Sequence, residues 1–328
     1  MGDGGHPITK GRRLNIVALL GCFFTVTISL AEMPNACFEG FTQNLEKFPQ
    51  YEKGFHSVVG ITPHFLSNEP RDLNRGHGAG VMIGRNPNNS SQVIVLTAAH
   101  VVKCAHSQSC RHRIEITNPY NGKPHWLFAH NVYWVDPSID AAIVLVEWRA
   151  PFDPVFADIG PNNFQTNKAA AAIGYPSLAS RKKWNYNKPQ RSDFNKKLLS
   201  LGEITLVGFR FNLSRLNSNG FVTGGGQPHI LATSADFLTG NSGGAILDAY
   251  GRLAGIAIRS CAAWIKNKCQ KPEGCSNWGI AVENFRSPLA SLGFELKVTP
   301  VESLPPLIPG IDQLNETTPN VTLDLLSE

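Results

Sequence analysis

The chain has 328 residues, of which 42% are hydrophobic and 17% charged, and its formal net charge is +5 at pH 7. That length is ample for a buried core, the apolar content is that of a globular chain, and the charge is too mild to argue for a nucleic-acid partner. No apolar run reaches the ~20 residues of a membrane span. The first element in chain order is a leader. Lys10, Arg12 and Arg13 form a basic segment, an apolar run follows from Leu14 to Leu30, and Ser29-Leu30-Ala31 offers a small-x-small cleavage pattern. The pattern predicts a signal peptide over 1–31, a mature start at Glu32, a secreted or periplasmic location, and no stable membrane span after removal. An uncleaved anchor helix is the rival reading of the same run.

Losing Cys22 with the leader leaves Cys37, Cys104, Cys110, Cys261, Cys269 and Cys275. An even number in an exported chain suggests disulfides, and six cysteines allow fifteen connectivities. Loop closure favours Cys104–Cys110 and one pair within the last three. A zinc site lacks the paired Cys or His spacings it needs, so neither metal nor organic cofactor is expected.

From residue 54 the pattern is β. Short apolar or alternating runs, separated by Gly, Pro, Asn and Ser clusters, predict strands at Val81–Ile83, Gln92–Thr97, Arg113–Thr117, Asn131–Val135 and Ala141–Val146. After Pro151, Pro154 and Pro161 a second set follows: Ala169–Ile173, Leu201–Phe209, His229–Thr233, Ala245–Leu247, Leu253–Ile258 and Trp278–Val282. Helical periodicity is limited to Ala98–Cys104 and Arg286–Leu292. The fold class is therefore all-β, as two antiparallel barrels or sandwiches. The expected organisation is an N-terminal extension over 32–53, a first unit over 54–155, a second over 156–295 and an acidic tail over 296–328.

Three blocks carry chemistry. His100 closes the apolar run Val93 to Ala99, where a rigid strand can aim an imidazole into a cleft. Asp140 opens the run Ala141 to Leu145, and a carboxylate so placed needs hydrogen bonds such as those of an imidazole N–H. Asp136, in Val135-Asp136-Pro137, is a competing acid in a turn setting. Gly240-Asn241-Ser242-Gly243-Gly244 can expose a serine hydroxyl beside converging N–H groups. The same string fits the Gly-x-Ser-x-Gly elbow of α/β-hydrolases, but those enzymes place His after Ser, and every histidine here precedes Ser242.

Between these blocks, Arg181, Lys182, Lys183, Lys188, Arg191, Lys196 and Lys197 read as a solvated basic loop. From Pro300 the chain carries Glu302, Asp312, Glu316, Asp324 and Glu328 with no Lys or Arg, so the body between leader and tail holds +8.

Thr97-Ala98-Ala99-His100, Asp140-Ala141-Ala142-Ile143 and Gly240-Asn241-Ser242-Gly243-Gly244, in that order, resemble the three catalytic blocks of trypsin-like (chymotrypsin-fold) serine proteases. The resemblance spans about residues 54–290. It implies two six-stranded antiparallel barrels with the active site in the cleft between them. It also implies Ser242 as nucleophile, His100 as base, Asp140 as its orienting acid, and the N–H groups of Gly240 and Ser242 as oxyanion hole. Asn241 stands where zymogen-type members have Asp, which is similar to the bacterial-type branch. Asp236, six residues before Ser242, matches the position of an acid that selects Arg or Lys in a substrate; the rival reading is a turn cap. Phe237 and Leu238 would line the pocket, and Gly255 and Gly279 would keep it open. The expected partners are protein or peptide substrates, with no nucleic acid. A catalytically silent binding homologue and an esterase on the same scaffold are the alternatives.

Overall fold

The computed structural model describes residues 41–42, 45–65, 77–103, 110–161, 166–176, 197–208, 229–238, 240–260, 263–265, 268–270 and 277–304. Residues 1–31 with the expected leader, the side chains of the six cysteines beyond them, the basic stretch from Arg181 to Lys196 and residues 305–328 lie outside them.

After the short strand β1 (Phe41–Thr42) and helix α1 (Glu52–Ser57) come six strands: β2 (Val58–Phe65), β3 (Gly78–Asn86), β4 (Asn89–Thr97), β5 (Cys110–Thr117), β6 (Pro124–Asp136) and β7 (Ala141–Glu147). They close into an antiparallel barrel in the order β2-β3-β4-β7-β6-β5. The second set is β8 (Ala169–Gly174), β9 (Leu198–Gly208), β10 (Ile230–Thr233), β11 (Ala245–Leu247), β12 (Leu253–Arg259), β13 (Ala263–Ile265), β14 (Lys268–Gln270) and β15 (Asn277–Ala281). Here β9-β10-β15-β12-β11-β8 is one sheet that a β8–β9 pairing closes into a second six-stranded barrel, while β13 and β14 form a separate hairpin. The remaining helices are α2 (Ala99–Val102) and α3 (Arg286–Ser291). The all-β, two-barrel class read from the strand pattern is the observed fold.

Three cores explain why several strands read as continuous rather than alternating. Val93 and Val95 of β4 point into the first barrel with Ala142, Val144 and Val146 of β7. The intervening Ile94, Leu96, Ala141, Ile143 and Leu145 join Ile173, Leu247 and Ile280 in a core shared by both barrels. Strands buried on both faces have no solvent side on which to place polar residues. The β6 strand is longer than its predicted segment Asn131–Val135. Its register shifts between Ala129 and Asn131 and again between Val132 and Trp134, and each shift breaks the two-residue period by which strands are recognised. The first strand, β2, is absent from the sequence-based expectation; Gly60 and Pro63 interrupt its apolar run.

Lys197 corrects the reading of a uniformly solvated basic loop. It is 3% exposed, its Nζ donates to the Phe55 carbonyl at 2.6 Å, and it stands 4.8 Å over the Phe55 ring. Burial pulls its ammonium below the ordinary lysine range, opposed by Glu115 on β5, whose own carboxyl burial pushes up. The last residue of the basic stretch is thus an anchor, tying the start of β9 to α1.

His77, immediately before β3, gives a pH-dependent contribution to stability. Its Nδ1 lies 3.2 Å from the Thr62 hydroxyl, its Nε2 is shielded from solvent, and its ring meets that of Tyr175 edge-on. Burial lowers its pKa to about 4, reinforced by the Arg113 charge. As pH falls from 6.5 toward 4 the unfolded chain takes up a proton that the folded chain resists, so stability is lost on acidification, by about 3 kcal/mol. In urea titrations between pH 7 and pH 4, His77→Phe is expected to lose less stability than the parent by about that amount. Parallel pH dependences for the two proteins would refute it.

Candidate active site

Strand register brings His100 and Asp140 together. β4 pairs antiparallel with β7, with Thr97 opposite Ala142, so the end of one strand lies beside the start of the other. His100 follows on α2, and Asp140 occupies the turn before β7. The Asp140 carboxylate binds twice: Oδ2 lies 2.7 Å from His100 Nδ1, and Oδ1 accepts the His100 N–H at 2.9 Å. The Ala99 N–H adds a bond to the Asp140 carbonyl at 3.1 Å. An ionised carboxylate only accepts, so this contact places the imidazole proton on Nδ1 and leaves the Nε2 lone pair to act as a base. Asp140 takes a left-handed backbone conformation (φ 55°), which Asp and Asn tolerate better than most residues. Its side chain is 13% exposed against 34% for His100, so the acid is screened while the ring reaches solvent.

The competing acid, Asp136, is a turn residue. Its Oδ1 accepts the Ser138 N–H at 2.8 Å and the Ser138 hydroxyl at 2.5 Å.

Ser242 sits in a pair of tight turns ahead of β11. The Asn241 N–H donates to the Leu238 carbonyl at 2.9 Å, and the Gly244 N–H to the Asn241 carbonyl at 2.8 Å. Gly240 has φ 98°, a left-handed backbone conformation that glycine adopts without steric cost. Among the described residues, the amides of Gly240 and Ser242 donate to no backbone carbonyl.

Two contacts fix this turn against the first barrel. The Ala79 N–H donates to the Ser242 carbonyl at 2.7 Å. Gly243 (φ 83°) lies so close to the Ala79 carbonyl and the Thr97 hydroxyl that no Cβ fits, and Thr97 itself donates to the Ala79 carbonyl at 2.6 Å. Gly78 shows the same closeness. A Cβ there would meet the Val101 side chain, one residue beyond His100, and lie 2.8 Å from the Ser242 carbonyl. Thr97, Gly78 and Ala79 therefore hold the serine turn against the segment bearing the His100–Asp140 pair. Sequence reading gave none of the three this contact, because close backbone approach between barrels has no local pattern.

The pocket residues are placed less simply. Asp236 is half-buried, and its N–H donates to the Ser200 hydroxyl at 2.7 Å. Phe237 is 2% exposed and packs in the second barrel's core with Leu231, Ile246 and Ala257. Leu238 is also buried. At Gly255 a Cβ would crowd the Ile280 carbonyl and Leu231, and at Gly279 it would meet Ile246, so close strand packing accounts for both glycines. Asn241 is 1% exposed and packs on Gly174.

Residues 78–256 match the family of trypsin-like peptidase domains. Among solved structures, that of Deg5 has 19% sequence identity and a TM-score of 0.50 over 76% of this chain and 96% of its own. A serine endoprotease from Yersinia pestis has 19% identity and a TM-score of 0.47, covering 74% of this chain and 65% of that one. Rv3671c from M. tuberculosis, in an inactive form, has 19% identity and a TM-score of 0.48 over 77% and 94% of the two chains. At 19% identity the likeness to Deg5 is one of fold. No curated protein matches the sequence.

Proposed function

The chain belongs to the trypsin-like peptidases and is a serine endopeptidase, and we propose that it is exported and works through Ser242, His100 and Asp140. The observation that carries the triad is the doubly bound His100–Asp140 pair, held through Gly78 and Ala79 beside the Ser242 turn. In this reading His100 Nε2 takes the Ser242 proton as Oγ attacks the scissile carbonyl. The Gly240 and Ser242 N–H groups stabilise the oxyanion, and collapse breaks the C–N bond as His100 protonates the leaving amine. Water, activated by the same imidazole, then hydrolyses the acyl-enzyme. Asp140 stays ionised throughout and stabilises the imidazolium. Export rests on the leader pattern of residues 1–31 and the even cysteine count.

For specificity, the proposal is cleavage after Arg or Lys through Asp236, supported by its spacing from Ser242 and its half-buried position. A serine-directed acylating inhibitor should label the folded protein stoichiometrically, and a peptide library should show Arg or Lys before the cut at least tenfold over Ala or Phe. Labelling without that preference would remove Asp236 from the pocket. A folded protein that resists labelling would remove the triad.

A further inference from the structure

Among the described residues, five of the seven most exposed large apolar side chains fall within one stretch: Tyr120, Trp126, Phe128, Tyr133 and Val135. Trp126 and Phe128 lie on the outer face of β6, which should carry polar residues if water were its only neighbour. The same face borders a groove of about 590 Å³ lined by Arg111, Trp126, Phe128, His130, Glu147 and Arg149, among others. Arg113, opposite Phe128 in the β5–β6 register, stacks 4.1 Å over the Trp126 ring. Glu147 is the acid of this lining, and it faces both His130 and Arg149 at 3.9 Å, which leaves the groove positive. A concave, aromatic and basic surface suits an extended chain that is apolar and acidic.

One segment of this protein has that composition. Residues 305–328 contain Leu307, Ile308, Ile311, Leu314, Val321, Leu323, Leu325 and Leu326, with four acids and no Lys or Arg. Val321, Leu323 and Leu325 alternate with Thr322 and Asp324, the two-residue period of a strand with one apolar and one polar edge. We propose that the C-terminal segment 305–328 docks in the β5–β6 groove of the same molecule, its aliphatic side chains on Trp126 and Phe128 and its carboxylates toward Arg111, Arg149 and His130. Reach is sufficient. Thr299 bonds Ile159, seven residues beyond Phe152, whose ring lies 5.9 Å from that of the groove residue His125, so Leu304 is within about 55 Å of the groove, whereas the extended segment spans about 80 Å. Tethering also makes the docking intramolecular, so millimolar effective concentration stands in for high intrinsic affinity.

The test is photo-crosslinking on the intact chain, with p-benzoylphenylalanine in place of Phe128 and, in a second protein, of the exposed groove residue Asn131. Irradiation at low salt should join the probe to peptides from 305–328 within the monomer. The yield should fall at least fivefold in 1 M salt, and likewise when Asp312, Glu316, Asp324 and Glu328 become Asn or Gln. Products joined to a second copy, products lacking any tail peptide, or a yield indifferent to salt and to the neutralised tail would each overturn the proposal. The Asn131 probe decides the matter if the Phe128 variant does not fold.

Discussion

Replacing Ser242 with Ala is expected to lower kcat by about a millionfold while leaving the melting temperature unchanged. The size is that expected for removing the proposed nucleophile of a unit whose members act together, with the oxyanion donors and substrate binding supplying what survives. Unchanged stability follows from how the turn is held. The Ser242 carbonyl, not its hydroxyl, accepts the Ala79 N–H, and Gly243 supplies the close approach to Ala79 and Thr97. Alanine keeps both contacts. Because the three groups act as one, adding His100→Ala to the serine variant should cost little more. Retention of a tenth of the parent turnover would assign the nucleophile elsewhere.

The second large effect is that of Asp140→Asn, expected to reduce kcat by about 10⁴-fold near neutral pH. Asn is the informative replacement because it tolerates the φ of 55° and is nearly isosteric. Its Oδ1 can still accept the His100 N–H. Its amide, however, would then present a donor to His100 Nδ1, where the carboxylate presents an acceptor at 2.7 Å. The imidazole responds by moving its proton to Nε2, the atom that must accept the serine proton. Geometry survives and the tautomer is wrong. Single-turnover acylation with a chromogenic ester separates this from misfolding, since the defect should lie in the acylation rate and not in the amount of folded protein. A loss below tenfold would mean that Asp140 does not set the tautomer.

Much of the first barrel's core was legible because β4 from Val93 to Leu96 and β7 from Ala141 to Val146 are unbroken apolar runs. The short strands of the second barrel were found within a few residues for the same reason. β2 escaped notice because Gly60 and Pro63 break its run, and β6 was shortened because two register shifts defeat a period-two reading. Lys197 was misplaced on physical grounds: a lysine beside six other basic positions reads as solvated unless the carbonyl, the aromatic ring and the buried acid that receive it are known. Phe237 shows the same limit, since an apolar residue beside a serine turn can line a pocket or fill a barrel, and here it packs with Leu231 and Ile246.

From sequence alone came the residue types of the site, their order along the chain, and the glycines around Ser242, because these are local: small residues permit tight turns, and apolar runs declare buried strands. Tertiary structure decided which acid lies against His100, since Asp136 and Asp140 are only four residues apart in sequence and the β4–β7 register sets Asp140 against the imidazole. It also decided that Gly78, Ala79 and Thr97 hold the serine turn. Contacts between barrels depend on how two closed sheets abut, and no local periodicity records that. Length and charge are shared by many globular proteins; the register of two strands and the close approach of Gly243 to Ala79 produce this arrangement of residues.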